Sequence, residues 1–209
     1  MKQQLNREEK KEFQLEQIQS LIEAEGGLVK TSQLTELGID YRRILALVED
    51  GILQRVKSGY YSMNYNDYSQ EDIICHMFPD GILTMETALY YYGYLDIKPL
   101  AWNIAISKNT SKSRFKITYP IVHPFYAEPQ VLSLGVTTIS IGEHEMQIYT
   151  KDRLICDVLK YQEKMSREDF KKAVFTYIND ETKDVAKLME CARERKVLKK
   201  VQSMIGIWL

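Results

Sequence analysis

The chain has little of what marks a secreted, metal-bound or membrane-spanning protein. Its 209 residues hold three cysteines, Cys75, Cys156 and Cys191. Odd in number and far apart, they suit a reducing cytoplasm and give neither a disulfide framework nor metal-ligand spacing. No apolar run approaches the roughly 18 residues that a membrane span needs, and the start, MKQQLNREEKKEFQ, has no hydrophobic stretch for a secretory signal. A cytoplasmic protein without a membrane partner is expected. Histidine is scarce too: His76, His123 and His144 stand apart, with no HExxH or CxxC beside them, so no metal is expected. GxxxxGK[ST], GxGxxG and GxSxG are all missing. Cys75 and His76 are adjacent, but consecutive helix side chains point about 100° apart, so a buried Cys beside a half-exposed His is the plainer reading. Glu143 and Glu145 flank His144, yet no lysine lies near to complete a nuclease-type cluster. No catalytic residue, enzyme activity or cofactor is expected.

Charge of one sign is also lacking overall, with 28 basic against 29 acidic side chains. Locally the chain is polarised. Residues 65–97 hold six acids and no base, whereas residues 98–127 hold five bases and no acid. Residues 1–64 are near balance, with 9 bases and 10 acids. Any polyanion contact must therefore use placed groups rather than bulk charge.

What is present is a punctuated N-terminal third. Leu15, Ile18 and Ile22 give one apolar face to a helix from about Arg7 to Glu25, which Gly26-Gly27 ends. Leu28-Val29 suits a very short strand. Thr31 is expected to cap a short helix reaching Leu37, and Gly38 breaks it. Asp40 is expected to cap a second helix, Tyr41 to Asp50, with Tyr41, Ile44, Leu45 and Val48 on its inner face and Arg42 and Arg43 turned outward near its N-terminus. Ile52 to Val56 and Tyr60 to Met63 alternate as two strands around Lys57-Ser58-Gly59. Short helix, glycine turn, capped helix and basic hairpin together form the pattern of a winged helix-turn-helix, whose second helix enters the DNA major groove by its N-terminal end.

The remainder reads as a linker with a short helix around Ser69 to His76 (residues 65–79) and a mixed α/β domain (residues 80–209). In the latter, Thr84 is expected to cap TMETALYYYG, whose three consecutive tyrosines cannot share one face. Strands are expected at Trp102 to Ser107, Arg114 to Tyr119, Val136 to Ile141 and Met146 to Tyr149. Three helices follow: one from Asp152, one capped by Ser166, and one from Thr182 to Met204 with Val185, Leu188, Met189 and Ala192 inward. The terminal IGIWL is apolar enough to dock back. The fold class expected is α+β. Lys108, Lys112, Arg114 and Lys116 form a possible basic surface of the C-terminal domain.

Three stretches resemble the AbiEi antitoxins of type IV (AbiE) toxin–antitoxin, or abortive infection, systems: GGLVKTSQLTELGIDYRRILALVEDGILQRVKSGYYSM, LTMETALYYYGYLD, and KDRLICDVLKY with FKKAVFTYIND after it. The resemblance implies a two-domain regulator encoded beside a nucleotidyltransferase-like toxin. Its winged helix would repress the operon by binding inverted repeats in promoter double-stranded DNA, as a monomer in solution that binds cooperatively on DNA. The C-terminal domain would oppose the toxin without a stable complex. Carried onto this chain, the DNA readers are Thr31, Ser32, Tyr41, Arg42 and Arg43, with Lys57, Ser58 and Tyr60 on the wing. The alternative is a ligand-responsive winged-helix regulator holding a small molecule in a tyrosine-lined C-terminal pocket.

Overall fold

A computed structural model describes residues 6–63 and 69–208. The chain forms two compact units, Met1–Phe78 with Lys116–Pro120, and Pro79–Phe115 with Ile121–Leu209. The fold is α+β, with a helical first unit carrying a small sheet and a mixed second unit.

In the first unit α1 (Arg7–Ala24) starts where Asn6 caps it. Asn6 Oδ1 accepts the Glu8 and Glu9 backbone N–H groups, each at 2.9 Å, and the Glu9 carboxylate accepts the Asn6 N–H at 2.7 Å. Ile18 and Ile22, one turn apart, are buried in the core. The chain then passes through β1 (Val29–Lys30), α2 (Thr31–Glu36), α3 (Tyr41–Glu49) and the hairpin β2 (Gln54–Lys57) and β3 (Tyr60–Ser62). Lys30, rather than Thr31, stands at the N-cap of α2, and the Gln33 side chain accepts its N–H at 2.7 Å. Asp40 caps α3, accepting the Arg43 N–H at 2.7 Å. The sheet order is β1–β3–β2, all antiparallel. Lys57 pairs with Tyr60, so two residues make the turn instead of three. Gly59 sits there at φ +80°, a conformation that costs other residues strain. This succession of elements is the winged helix-turn-helix arrangement.

The face that α3 buries differs from the expected one. Ile44 and Leu47 are fully buried, whereas Tyr41 is 50% and Leu45 37% exposed. Ile44 and Leu47 lie one turn apart and join Leu34, Ile39 and Leu53 in the core. Choosing that pair rotates the helix so that Tyr41, Arg42, Leu45 and Glu49 form one exposed stripe.

Residues 65–79, expected as a linker with a short helix around Ser69 to His76, contain that helix as α4 (Gln70–Met77), capped by Ser69 and counted with the first unit. It buries Ile73, Ile74 and Met77, with Phe78 following. Residues 64–68 lie outside the described residues. Segment Lys116–Pro120 also belongs to this unit: Ile117 bridges Lys57, the Thr118 N–H donates to Val56 O at 3.0 Å, and the Gln70 amide donates to Tyr119 Oη at 3.0 Å. The expected strand Arg114 to Tyr119 is therefore corrected. Lys112–Phe115 is a 3₁₀ turn, in which the Ser113 N–H donates to Ser111 Oγ and the Arg114 N–H to Ser111 O. Serine hydroxyls here offer the backbone a local partner in place of a ladder.

The second unit is built on a five-stranded sheet in the order β6–β5–β4–β8–β7. Its strands are β4 (Ile82–Leu83), β5 (Ala101–Ser107), β6 (Ile121–Ala127), β7 (Val136–Ile141) and β8 (His144–Tyr149). The central β4 pairs antiparallel with β5 and parallel with β8, while β5 and β6 are parallel. β6 holds Pro124 in register with Ile104. Proline cannot donate to a ladder, and the edge position of β6 lets the sheet tolerate it.

Helices α5 (Met85–Tyr91), α7 (Lys151–Lys160), α8 (Arg167–Ile178), α9 (Val185–Glu194) and α10 (Leu198–Met204) accompany this sheet, and the short α6 (Pro129–Leu132) joins β6 to β7. Thr84 stands at the N-cap of α5, but its hydroxyl makes no capping bond. α7 is the centre: Leu154, Ile155, Val158 and Leu159 are all buried, as expected. The single helix expected from Thr182 to Met204 is two, split at Lys196 (φ +59°). There the Val197 N–H donates to Ala192 O and the Lys196 N–H to Arg193 O, closing α9 by a Schellman motif with lysine in the place usually held by glycine. Leu188 and Ala192 face inward as expected, joined by Cys191, whereas Met189 is half-buried and Val185 exposed. Of the terminal IGIWL only Ile205 docks; Ile207 and Trp208 are exposed, and Leu209 lies outside the described residues.

Candidate nucleic-acid interface

On α3, Asp40 fixes the first turn, and the buried Ile44 and Leu47 fix its rotation. Tyr41 and Arg42 then project from the N-terminal turn, the end carrying the positive macrodipole. The Arg42 guanidinium has no protein partner among the described residues. Arg43 is half-buried, and its Nε donates to Gln14 Oε1 on α1 at 3.4 Å. The two adjacent arginines thus have different duties: Arg42 is open, and Arg43 lies against α1.

The wing forms a second cluster. The Thr31 N–H donates to Gly59 O at 2.9 Å, which ties the start of α2 to the hairpin turn and groups Thr31 and the exposed Ser32 with Ser58 and Tyr60. The Lys57 ammonium lies 5.4 Å from the Tyr60 ring centroid. Arg55, which the sequence reading passed over, is exposed, and its Nη2 donates to Ser58 Oγ at 3.1 Å. Also missed were Lys10, Lys11 and Gln14 of α1, which with Glu8 and Arg43 line an open trough of about 590 Å³. The signal for them was faint: a lysine pair spaced three and four residues before Gln14, the spacing that shares a helix face.

Of the four basic residues expected on the C-terminal domain, Lys108, Lys112 and Arg114 lie in the second unit and Lys116 in the first. Lys108 is paired with Glu128 at 2.6 Å, and Arg114 reaches Asp80 through both terminal nitrogens, Nη1 at 2.8 Å. Lys112 is exposed on the 3₁₀ turn, and Lys116 belongs to the first unit.

Residues 16–64 match the family model described as "Transcriptional regulator, AbiEi antitoxin". This AbiEi-type segment runs from within α1 past the end of β3, about a quarter of the chain. It contains every first-unit residue expected to read DNA, from Thr31 to Tyr60. Lys10, Lys11 and Gln14 precede it. Comparison with the curated proteins gives no match.

The other two stretches of the resemblance meet within the second unit. Tyr92 Oη donates to Tyr149 O at 2.9 Å. Tyr94 Oη and Lys151 Nζ both donate to Asp180 Oδ2 at 2.6 Å, and Thr182 donates twice to Oδ1. Burial opposes ionisation of Asp180, but the bonds from Lys151, Thr182 and Tyr94 outweigh it and hold the carboxyl below the ordinary range. Deeper in, Asp157 Oδ1 lies 2.6 Å from both Arg153 Nη1 and Arg195 Nε, and Arg153, fully buried, stacks 4.2 Å from the Tyr149 ring centroid. Asp157 is shared by both arginines, while Arg153 Nε is buried without a hydrogen-bond partner among the described residues; mutual pairing of this kind suits a scaffold more than a reacting centre. Among the described residues no group of three or more His, Cys, Asp or Glu side chains is placed to hold a metal ion, and no helix is long and apolar enough to cross a membrane.

Proposed function

We propose that this chain is the antitoxin of a type IV toxin–antitoxin system and represses its own operon through the winged helix. The observation that carries the reading is the outer stripe of α3. A soluble helix normally turns its apolar residues inward, yet α3 exposes Tyr41 and Leu45 beside an unpaired Arg42. A helix lying in the major groove has a use for such a face: arginine for guanine edges or phosphate, and apolar groups for thymine methyls. The match of residues 16–64 to the AbiEi model supports the same segment. Near-neutral charge over residues 1–64 makes cooperative binding of two copies to inverted repeats the natural route to affinity. The second unit would supply antitoxicity against a nucleotidyltransferase-like toxin.

The test is a salt series of gel shifts on the chain's own promoter. Arg42→Ala should weaken binding by about 1–3 kcal/mol and, if the contact is to phosphate, flatten the salt slope by about one unit. Its melting temperature should be unchanged, since Arg42 supports no fold contact. Arg43→Ala should lose affinity and some stability together, through Gln14. Wild-type affinity and slope in the Arg42→Ala protein would remove α3 from the interface. Growth rescue of cells expressing the adjacent toxin gene tests the antitoxin half.

A further inference from the structure

The second unit carries a cleft of about 540 Å³ that the DNA-binding reading does not use. Its size falls within the range of small-molecule sites. Glu86 enters it from the first turn of α5, Asn103 from β5, His123 and Phe125 from β6, and Lys164 from the turn after α7. Asn103 is nearly buried: Thr87 Oγ1 accepts its backbone N–H at 2.8 Å, and its amide donates to Glu86 Oε2 at 2.9 Å. That bond fixes both side chains and leaves Glu86 Oε1 and Asn103 Oδ1 with no protein partner among the described residues. Burial pushes the Glu86 carboxyl up, with Asp169 adding to the shift and the Glu86 backbone N–H and His123 opposing it.

The opposite charge is also left over. The Lys164 ammonium lies 4.9 Å from the Phe125 ring centroid and 5.0 Å from that of Tyr161, and no carboxylate among the described residues pairs with it. The Phe125 and Tyr161 rings meet edge-on at 5.3 Å, which holds the aromatic wall. By contrast the tyrosines of α5 are packed: Tyr90 meets Tyr91 at 5.3 Å, Tyr91 lies 6.0 Å from Trp102, and no space for a water remains between them.

We infer that this cleft binds a small amphoteric molecule, whose N–H donors meet Glu86 and Asn103 and whose anionic group meets Lys164 and His123, over the apolar wall of Phe125. Two sources carry that chemistry, a nucleobase joined to phosphate or an amino acid. A half-buried carboxylate with no lysine or arginine ion pair and an ammonium with no carboxylate ion pair among the described residues, in one cleft, are complementary to a ligand that brings both. The inference does not rest on DNA binding.

Isothermal titration of the full chain with nucleoside 5′-monophosphates, amino acids and inorganic phosphate tests it. One of the first two classes should bind, and Glu86→Gln and Lys164→Met should each weaken it about tenfold or more, while Lys164→Arg and Arg42→Ala leave it close to wild type. Glu86→Gln keeps an acceptor for Asn103, and the melting temperature of each variant checks its fold. Binding by neither class, inorganic phosphate binding as tightly as the larger molecules, or affinity indifferent to both Glu86→Gln and Lys164→Met would overturn the inference.

Discussion

Asp157 joins two elements of the second unit, α7 and the end of α9. It is almost fully buried between two buried arginines, Arg153 and Arg195, each 2.6 Å away. Arg195 also donates to Tyr161 Oη at 3.3 Å, and Asp157 and Tyr161 hold its proton more tightly than burial loosens it. Removing the single anion leaves two uncompensated cations in a low-dielectric interior, which costs about 3–5 kcal/mol. Asp157→Asn should therefore lower the denaturant midpoint by that much with little change in m-value, as urea unfolding followed by circular dichroism would report. A loss under 1 kcal/mol, about what a surface pair contributes, would mean that water reaches the arginines. The sequence gives only the spacing Arg153–Asp157, one helical turn; nothing in it announces that Arg195, 38 residues later, closes on the same carboxylate.

At the scale of elements, legibility follows how local the determinants are. Caps and glycine stops place α1, α3 and α8 within a residue or so, because Asn6, Asp40 and Ser166 act on their own first turns. β4 was illegible, since Ile82-Leu83 is two residues long and exists as a strand only through its neighbours β5 and β8. β6 was masked by Pro124, whose tolerance depends on an edge position that no periodicity reveals. The rotation of α3 differs from the expected one because Tyr41, Ile44, Leu45, Leu47 and Val48 compete for a face that holds two fully, and Tyr41 and Leu45 are the surplus left in solvent.

Elements are also joined by titratable groups. Asp180 links the end of α8 to Tyr94 after α5 and to Lys151 at the start of α7. With its folded pKa held below the unfolded value near 3.9, Asp180 contributes stability that is fully present above that value and is lost as the pH falls through the folded pKa. Melting temperature should be level from about pH 7 to 5 and fall below about pH 4. Asp180→Asn should be less stable at neutral pH and show a shallower acid limb. Parallel acid limbs for the two proteins would show that other carboxylates set the fall.

Across the whole molecule, the division between the compact units falls at Phe78/Pro79, beside the expected end of the linker, and not at residue 64. The first unit keeps α4 and takes back Lys116–Pro120 from far along the chain. The physical reason lies in the order β1–β3–β2, which leaves β2 as an open edge with unpaired backbone groups. Ile117 and Thr118 cover it, through the bridge to Lys57 and the bond to Val56 O. A wing so backed is stiffer than a lone hairpin, and under the proposed function a stiff wing would lower the ordering cost of binding DNA. Thr118→Pro in the full chain deletes that donor without touching any residue of the AbiEi-type segment. Amides of β2 and β3 should then exchange with deuterium faster, while those of β5 and β8 keep their protection. Operator affinity should fall modestly with an unchanged salt slope, because no phosphate contact is lost. Unchanged exchange at β2 would show that the hairpin holds its shape without the returning segment.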